Sequence, residues 1–312
     1  MKSAARAGRL LLRLPSKSTN RFGQELGDGR NRTRNFVSRL LGIFIAMVIT
    51  TPLDDPPSRG ETTTVATGLR ATAIQALASC RHALHLGKDA FLALLSGADS
   101  VKPLIHPEEE RITSPAACSK KRSEFVLGRA AVGYALRELG EYSPVLRGGQ
   151  GEPLWPEGIL GSITHCWPWA VALTARTWRP FAIGIDLENL ETAGRVDISD
   201  LICTAGELGW VRHGLSFHER LAMIFSAKEA VYKGLYRFSR RYIDFQEVEL
   251  LWLPERQSFR VSFVDGTTAQ FPQLRGCEVF CRCFAGHVFS CMVYEAQNHL
   301  GPKRDFALRA FR

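Results

Sequence analysis

Three groups of side chains in this sequence have the types and spacing to do chemistry. The first is Asp186 and Glu188, at the end of the run FAIGIDLENL, residues 181–190. Phe181, Ile183 and Ile185 alternate with small or polar residues between Pro180 and Asn189, which predicts a short buried strand. Residues two apart in a strand share a face, so the two carboxylates point the same way, with Leu187 opposite. Like charges that close repel unless something positive lies between them. A divalent cation meets that need, and so does water at an exposed strand end. The second group is Glu229 and Lys233, with Lys228 and Tyr232, in HERLAMIFSAKEAVYKGLYRF. Leu221, Ile224, Phe225, Val231 and Leu235 predict an amphipathic helix, with Glu229 and Lys233 one turn apart on another face. An exposed ion pair accounts for those two. With Lys228, the helix also offers a carboxylate and two cations within about two turns, as a metal-bridged diphosphate requires. The third is His165, between GILGSITHC and WAVALTAR, and it reads as a packed or surface histidine or as a ligand. Ser162 lacks the G-x-S-x-G setting of a hydrolase nucleophile.

These residues need elements to hold them. GILGSITHC and WAVALTAR read as two strands turning at Trp167-Pro168. Upstream, SEFVLGRAAVGYALRELG reads as a helix capped by Ser123 and stopped at Gly140, with Phe125, Val132, Leu136 and Leu139 at helical spacing. ATAIQALASCRHALHL, from Ala71, has few helix breakers, and Pro103 and Pro107 punctuate a loop before EEERI. The turn-rich SPVLRGGQGEPLWPEG matches neither the Walker pattern nor G-x-G-x-x-G.

With 312 residues and 45% hydrophobic content the chain can fill a sizeable core, which excludes disorder throughout. Ten basic side chains against Glu25 and Asp28 in residues 1–39 leave +8 there, out of a total of +9. The remainder is close to neutral, so no general nucleic-acid face is expected outside that segment. Leu40 to Ile49 is continuously apolar but well short of the roughly 20 residues that span a bilayer. Residues 1–64 are expected to lie outside the fold, with Met47 as an alternative start, and residues 298–312 form a basic tail. The eight cysteines lack paired C-x2-C spacing, and Cys281 and Cys283 flank Arg282 in a strand pattern. They read as small core residues of a cytoplasmic protein rather than zinc ligands.

GSITHC, GIDLE and FSAKEAVYK occur in that order, and the triplet resembles the motifs of 4′-phosphopantetheinyl transferases. HPEEE, RSEFVLGRAA and GEPLWPEGILGSITHC make the surroundings similar to the branch typified by enterobactin synthetase component D. The resemblance runs from about Ile105 to Phe245 and continues more weakly to Tyr294. It implies an α+β fold of two pseudo-symmetric halves, 65–183 and 184–297, with the site between them. It implies transfer of the phosphopantetheine arm of coenzyme A to a serine of an apo acyl or peptidyl carrier protein, with release of 3′,5′-ADP. Asp186, Glu188 and Glu229 would then hold Mg²⁺. Glu229, directly or through a water, would be the base, and Lys233 would stabilise or protonate the departing phosphate. Arg122, Arg129, Thr164, His165, Lys228 and Lys233 would contact coenzyme A. Relatives often carry a basic residue before the proline of a G-x-P turn, where this chain has Gly151-Glu152-Pro153. The expected protein is a monomer with no nucleic-acid partner and no stable membrane span. Its alternatives are a noncatalytic carrier-binding homologue and a basic nucleic-acid or membrane-surface module resting on residues 1–39.

Overall fold

A computed structural model of the protein describes residues 59–79, 89–97, 104–112, 119–176, 181–193, 196–213, 216–264 and 276–295. The basic segment 1–39, the apolar run 40–49 and the tail 298–312 lie outside the described residues. The first helix, α1 (Arg59–Ser79), begins within the stretch expected to precede the fold and twelve residues ahead of Ala71. Strand β1 (Ala90–Ser96) follows, then a short helix α2 (Pro107–Arg111) and the long helix α3 (Ser119–Glu138). Helix α3 starts four residues before Ser123, so that serine is not its cap.

The two-residue strands β2 (Leu146–Arg147) and β3 (Pro153–Leu154) pair across the glycine-rich turn. Strands β4 (Ile159–Cys166) and β5 (Trp169–Arg176) then form a hairpin on Trp167-Pro168, as the sequence pattern predicts. With β1 they make an antiparallel sheet in the order β1-β5-β4. Successive β5 residues face opposite ways. Val171, Leu173 and Ala175 pack with Leu69, Ala73 and Ala76 of α1, whereas Ala170 and Ala172 pack with Leu127, Ala130 and Ala131 of α3. The small sheet is thereby covered on both faces.

Strand β6 (Phe181–Asn189) opens a second antiparallel sheet. After short helices α4 (Leu190–Ala193), α5 (Ser199–Ile202) and α6 (Ala205–Arg212) comes the long helix α7 (Phe217–Ser239). Strands β7 (Val248–Leu253), β8 (Ser258–Phe263), β9 (Glu278–Phe284) and β10 (His287–Glu295) complete the sheet in the order β6-β10-β9-β8-β7. Helices beside wholly antiparallel sheets make the fold α+β, as expected. Ile183, Ile185 and Leu187 of β6 join the α1 core, so the intervening Gly184, Asp186 and Glu188 occupy the opposite face, toward α7.

Each sheet ends in an edge strand, β4 in one and β6 in the other, and side chains tie the two together. The Ile185 N–H donates to Ser162 Oγ and the Leu187 N–H to Thr164 Oγ1, both at 3.0 Å. Buried edge amides that no neighbouring strand satisfies must find another acceptor. Hydroxyls two residues apart on β4 supply it, and they fix β6 against β4 at the positions flanking Asp186. Cys281 is buried in β9 and Cys283 half-buried, and both are free thiols. Among the described residues no helix is long and apolar enough to cross a membrane.

Candidate active site

The site forms where α7 crosses β6. A Cβ on Gly184 would stand 1.8 Å from the Ala230 carbonyl oxygen, and one on Gly234 would stand 2.2 Å from Met292 Cε. Only two glycines permit so close a crossing. It lays the turn of α7 that carries Glu229 and Lys233 over the face of β6 that carries Asp186 and Glu188.

Asp186 is 2% exposed. Its Oδ1 accepts from Lys233 Nζ at 2.6 Å and from Thr164 Oγ1 at 3.3 Å, while its Oδ2 is buried without a hydrogen-bond partner. Glu188 and Glu229 lie within electrostatic reach. Burial, then Asp186, holds the Glu188 carboxyl well above the usual carboxylate range, against the pull of Lys233. Glu229 is pushed up to about 7, chiefly by burial, with Lys233 lowering it and Asp186 raising it. Burial disfavours the Lys233 ammonium, but Asp186 and Glu229 outweigh that and its pKa rises. Three carboxylates thus share one cation, and burial makes Glu188 and Glu229 costly to ionise.

Among the described residues no three His, Cys, Asp or Glu side chains are already drawn together as a ligand set; the acids meet around Lys233 instead. The donors nevertheless fit a hard divalent ion, which takes a few carboxylates and fills its other positions with water and substrate oxygens. The orphaned Asp186 Oδ2 and the mutual repulsion of the acids are what such an ion would relieve.

His165, near the end of β4, is exposed. Crowding by the protein still lowers its pKa to about 4, with Lys233 adding to the effect and Asp186 opposing it. It is therefore neutral at pH 7 and lies within the field of the same charges. Arg122 is exposed on α3. Arg129, 5% exposed on the same helix, lies over the Phe125 ring at 5.0 Å, and its buried Nη1 has no hydrogen-bond partner. An unmatched guanidinium nitrogen is a ready donor to an anion.

Two residues expected to contact coenzyme A are engaged within the fold instead. Thr164 is buried, and its hydroxyl donates to Asp186 while accepting from the Leu187 N–H. It positions Asp186 and has no free proton for a phosphate. Lys228 is also buried, with Nζ at 2.7 Å from Glu207 Oε2, 2.8 Å from the Ile202 carbonyl and 2.7 Å from that of Phe245. All three ammonium protons are used, so this lysine ties α7 to α5, α6 and the turn Phe245–Glu247.

Two acids escaped the sequence reading. Glu207, besides Lys228, accepts the Thr204 N–H at 2.6 Å and the Leu250 N–H at 2.7 Å. Glu124 is buried on α3, where it acts electrostatically on Glu188. The sequence held a signal for both Glu124 and Lys228, since each interrupts the apolar stripe of its helix. Lys228 lies seven residues from both Leu221 and Leu235, and Glu124 lies three, four and seven before Leu127, Gly128 and Ala131.

Residues 108–175 match the family model of the 4′-phosphopantetheinyl transferase N-terminal domain, and residues 182–278 match that of the 4′-phosphopantetheinyl transferase superfamily. The chain is 30% identical over 193 residues to the 4′-phosphopantetheinyl transferase PptT of Mycobacterium tuberculosis, covering 59% of this chain and 83% of that protein. It is 33% identical to the transferase Svp of Streptomyces mobaraensis, covering 54% and 69%. It is 36% identical to enterobactin synthase component D of Salmonella typhimurium, of which it spans 53%, with 41% of this chain covered. A complex of ACPS with CoA from Chronobacterium ammoniagenes matches 38% of this chain and all of its own at 15% identity and a TM-score of 0.33, too low to bear on the chemistry. With two consecutive family models along its described core and relatives matched over most of their length, the chain belongs to the 4′-phosphopantetheinyl transferase superfamily.

Proposed function

We propose that the protein transfers the 4′-phosphopantetheine arm of coenzyme A to a serine of an apo acyl or peptidyl carrier protein and releases 3′,5′-ADP. The observation that carries this reading is Asp186: buried, paired with Lys233 at 2.6 Å and left with an unpartnered Oδ2 beside Glu188 and Glu229, in a chain of this family. Asp186, Glu188 and Glu229 would hold Mg²⁺, which when bound neutralises charge on the diphosphate.

The chain's own residues supply the rest. Glu229 takes the proton from the attacking serine hydroxyl, a task suited to a carboxylate whose pKa burial has raised toward 7. The serine oxygen forms a bond to the phosphorus that bears pantetheine, and the bond from that phosphorus to the 3′,5′-ADP oxygen breaks. Lys233 follows the negative charge onto the leaving phosphate and can return a proton to it. Arg129 and His165 meet the nucleotide phosphates, and Arg122 adds positive charge outside them. Thr164 holds Asp186 in place. The division into halves at 65–183 and 184–297 belongs to this reading, supported by the change from the three-stranded to the five-stranded sheet at β6. A monomeric cytoplasmic enzyme is part of the proposal as well.

Chromatography of the nucleotide released from coenzyme A, apo-carrier and Mg²⁺ tests the reaction. Appearance of 3′,5′-ADP that requires both carrier and Mg²⁺ is expected. No release with any of several acyl and peptidyl carriers would overturn it.

A further inference from the structure

Ser290 lies on β10, beyond residues 182–278 that match the superfamily, and the fold sets it directly beside Asp186. The β6–β10 register pairs Asp186 with Ser290, and the β10–β9 register pairs Ser290 with Cys281. Directly opposite residues of antiparallel strands share a face, with Cβ atoms about 4.5–5.5 Å apart. The row Asp186, Ser290, Cys281 therefore lies on the face toward α7. The next row agrees, because Gly184 is opposite Met292, and a Cβ on Gly234 of α7 would stand 2.2 Å from Met292 Cε. Ser290 is 0% exposed, and its hydroxyl donates to Cys281 Sγ at 3.5 Å. Its neighbours on that face of β10, Val288 and Met292, are buried and apolar.

A thiol is a weak acceptor, and a buried hydroxyl with so poor a partner is costlier than an apolar residue in the same row. A better acceptor lies across the strand. The Asp186 carboxylate is buried, with Oδ1 held by Lys233 and, from the β4 side, by Thr164, while Oδ2 has no partner. A hydroxyl turns about its Cβ to suit its acceptor. The cross-strand separation is one that a serine oxygen and a carboxylate oxygen close with a bond of about 2.7 Å. Each carboxylate oxygen takes about two partners, so a hydroxyl on Oδ2 leaves room there for a cation. We propose that Ser290 is a positioning residue for Asp186: its hydroxyl turns from Cys281 Sγ to Asp186 Oδ2 and, with Thr164 at Oδ1, fixes the carboxylate toward the divalent-cation site. Hydroxyls from both flanking strands then hold the one acid. This inference rests on the transfer reading above.

The test is calorimetric titration of the coenzyme-free protein with Mn²⁺ and with Mg²⁺, beside a thermal melt in chelator. Ser290→Ala should lower ion affinity about 10- to 100-fold. Ser290→Thr, which restores a hydroxyl, should recover most of that loss, and Ser290→Val, shaped like threonine but with no hydroxyl, should not. Cys281→Ala leaves Asp186 as the hydroxyl's acceptor and should keep the parent affinity. In steady state, carrier KM should stay put in Ser290→Ala while the Mg²⁺ needed for half-maximal rate rises. Unaltered ion affinity in Ser290→Ala while Asp186→Asn loses binding would overturn the inference and leave the transfer reading standing. A lower melting temperature in chelator with unaltered ion affinity would likewise reduce Ser290 to a core hydrogen bond on Cys281. Equal losses of affinity in Ser290→Ala and Cys281→Ala would also overturn it, since packing of β9 on β10 would then account for both. If Asp186→Asn itself keeps full ion affinity, the metal assignment fails and takes this inference with it. Should Ser290→Ala not fold, Ser290→Cys, which offers only a weak S–H donor, should bind Mg²⁺ more weakly than the parent. Unaltered binding there would count against the proposal.

Discussion

Replacing Lys228 by methionine separates a structural lysine from a phosphate ligand. The side chain is 2% exposed, and its ammonium donates to Glu207 Oε2 and to the carbonyls of Ile202 and Phe245, all within 2.8 Å. Methionine fills nearly the same volume, so the cost is electrostatic rather than a cavity. Removing one partner of a buried pair leaves the other charge uncompensated, a loss of about 3–5 kcal/mol. For a chain of this size each kcal/mol moves the melting temperature by roughly 2–4 °C, so Lys228→Met should melt about 6–20 °C lower. Adding Glu207→Gln should recover part of that loss, because the stranded charge is gone even though the Thr204 and Leu250 amides lose their ideal acceptor. Differential scanning calorimetry of the two singles and the double measures the coupling directly. Calorimetric titration of the folded variants with coenzyme A should return the unmodified affinity. A Lys228→Met protein that melts within about 1 °C of the parent and binds coenzyme A poorly would refute the reasoning and put the lysine back at the phosphates.

Glu188→Gln and Asp186→Asn should each abolish transfer, but only Glu188→Gln should raise the metal-free melting temperature, since Asp186 also holds Lys233 at 2.6 Å; equal shifts would contradict that asymmetry. Gly184→Ala sets a Cβ 1.8 Å from the Ala230 carbonyl oxygen and should cost about 1–3 kcal/mol in urea unfolding. It should also lower activity beyond its effect on stability, because α7 carries Glu229 and Lys233; full activity in the folded variant would show that the crossing does not set the site. His165 should titrate near pH 4 by NMR in the free protein. That depressed value means the unfolded chain binds more protons between about pH 4 and 6.5, so stability should rise with pH across that window, and His165→Asn should flatten the rise; an ordinary pKa near 6.5 would remove both effects.

Strands β4, β5 and β6 and helix α7 were legible in the sequence because each carries a strong local period between clear stop signals. Alternation in FAIGIDLEN put Ile183, Ile185 and Leu187 on one face and Asp186 and Glu188 on the other, and the structure keeps that division. The pairing of Asp186 with Lys233, 47 residues away, was not legible, because nothing local records which helix face meets which strand face. The Gly184–Gly234 crossing decides that. The burial of Lys228 was not legible for the opposite reason. Its neighbours in sequence, Glu229 and Lys233, suggested a shared task, whereas its neighbours on the helix, Leu221, Ile224, Val231 and Leu235, lie in the core. Successive helix residues point about 100° apart, so Lys228 and Glu229 serve different sides of α7. Glu124 and Arg129 teach the same lesson on α3, where charged residues on a buried helix face mark the place where the chain meets something polar.

The most direct test of the account is the intact mass of an apo-carrier protein after incubation with this chain, coenzyme A and Mg²⁺. A gain equal to one phosphopantetheine group, mapped to a single serine and lost in Asp186→Asn and Glu229→Gln, is the predicted result. An unmodified carrier, or modification that persists in either variant, would contradict it.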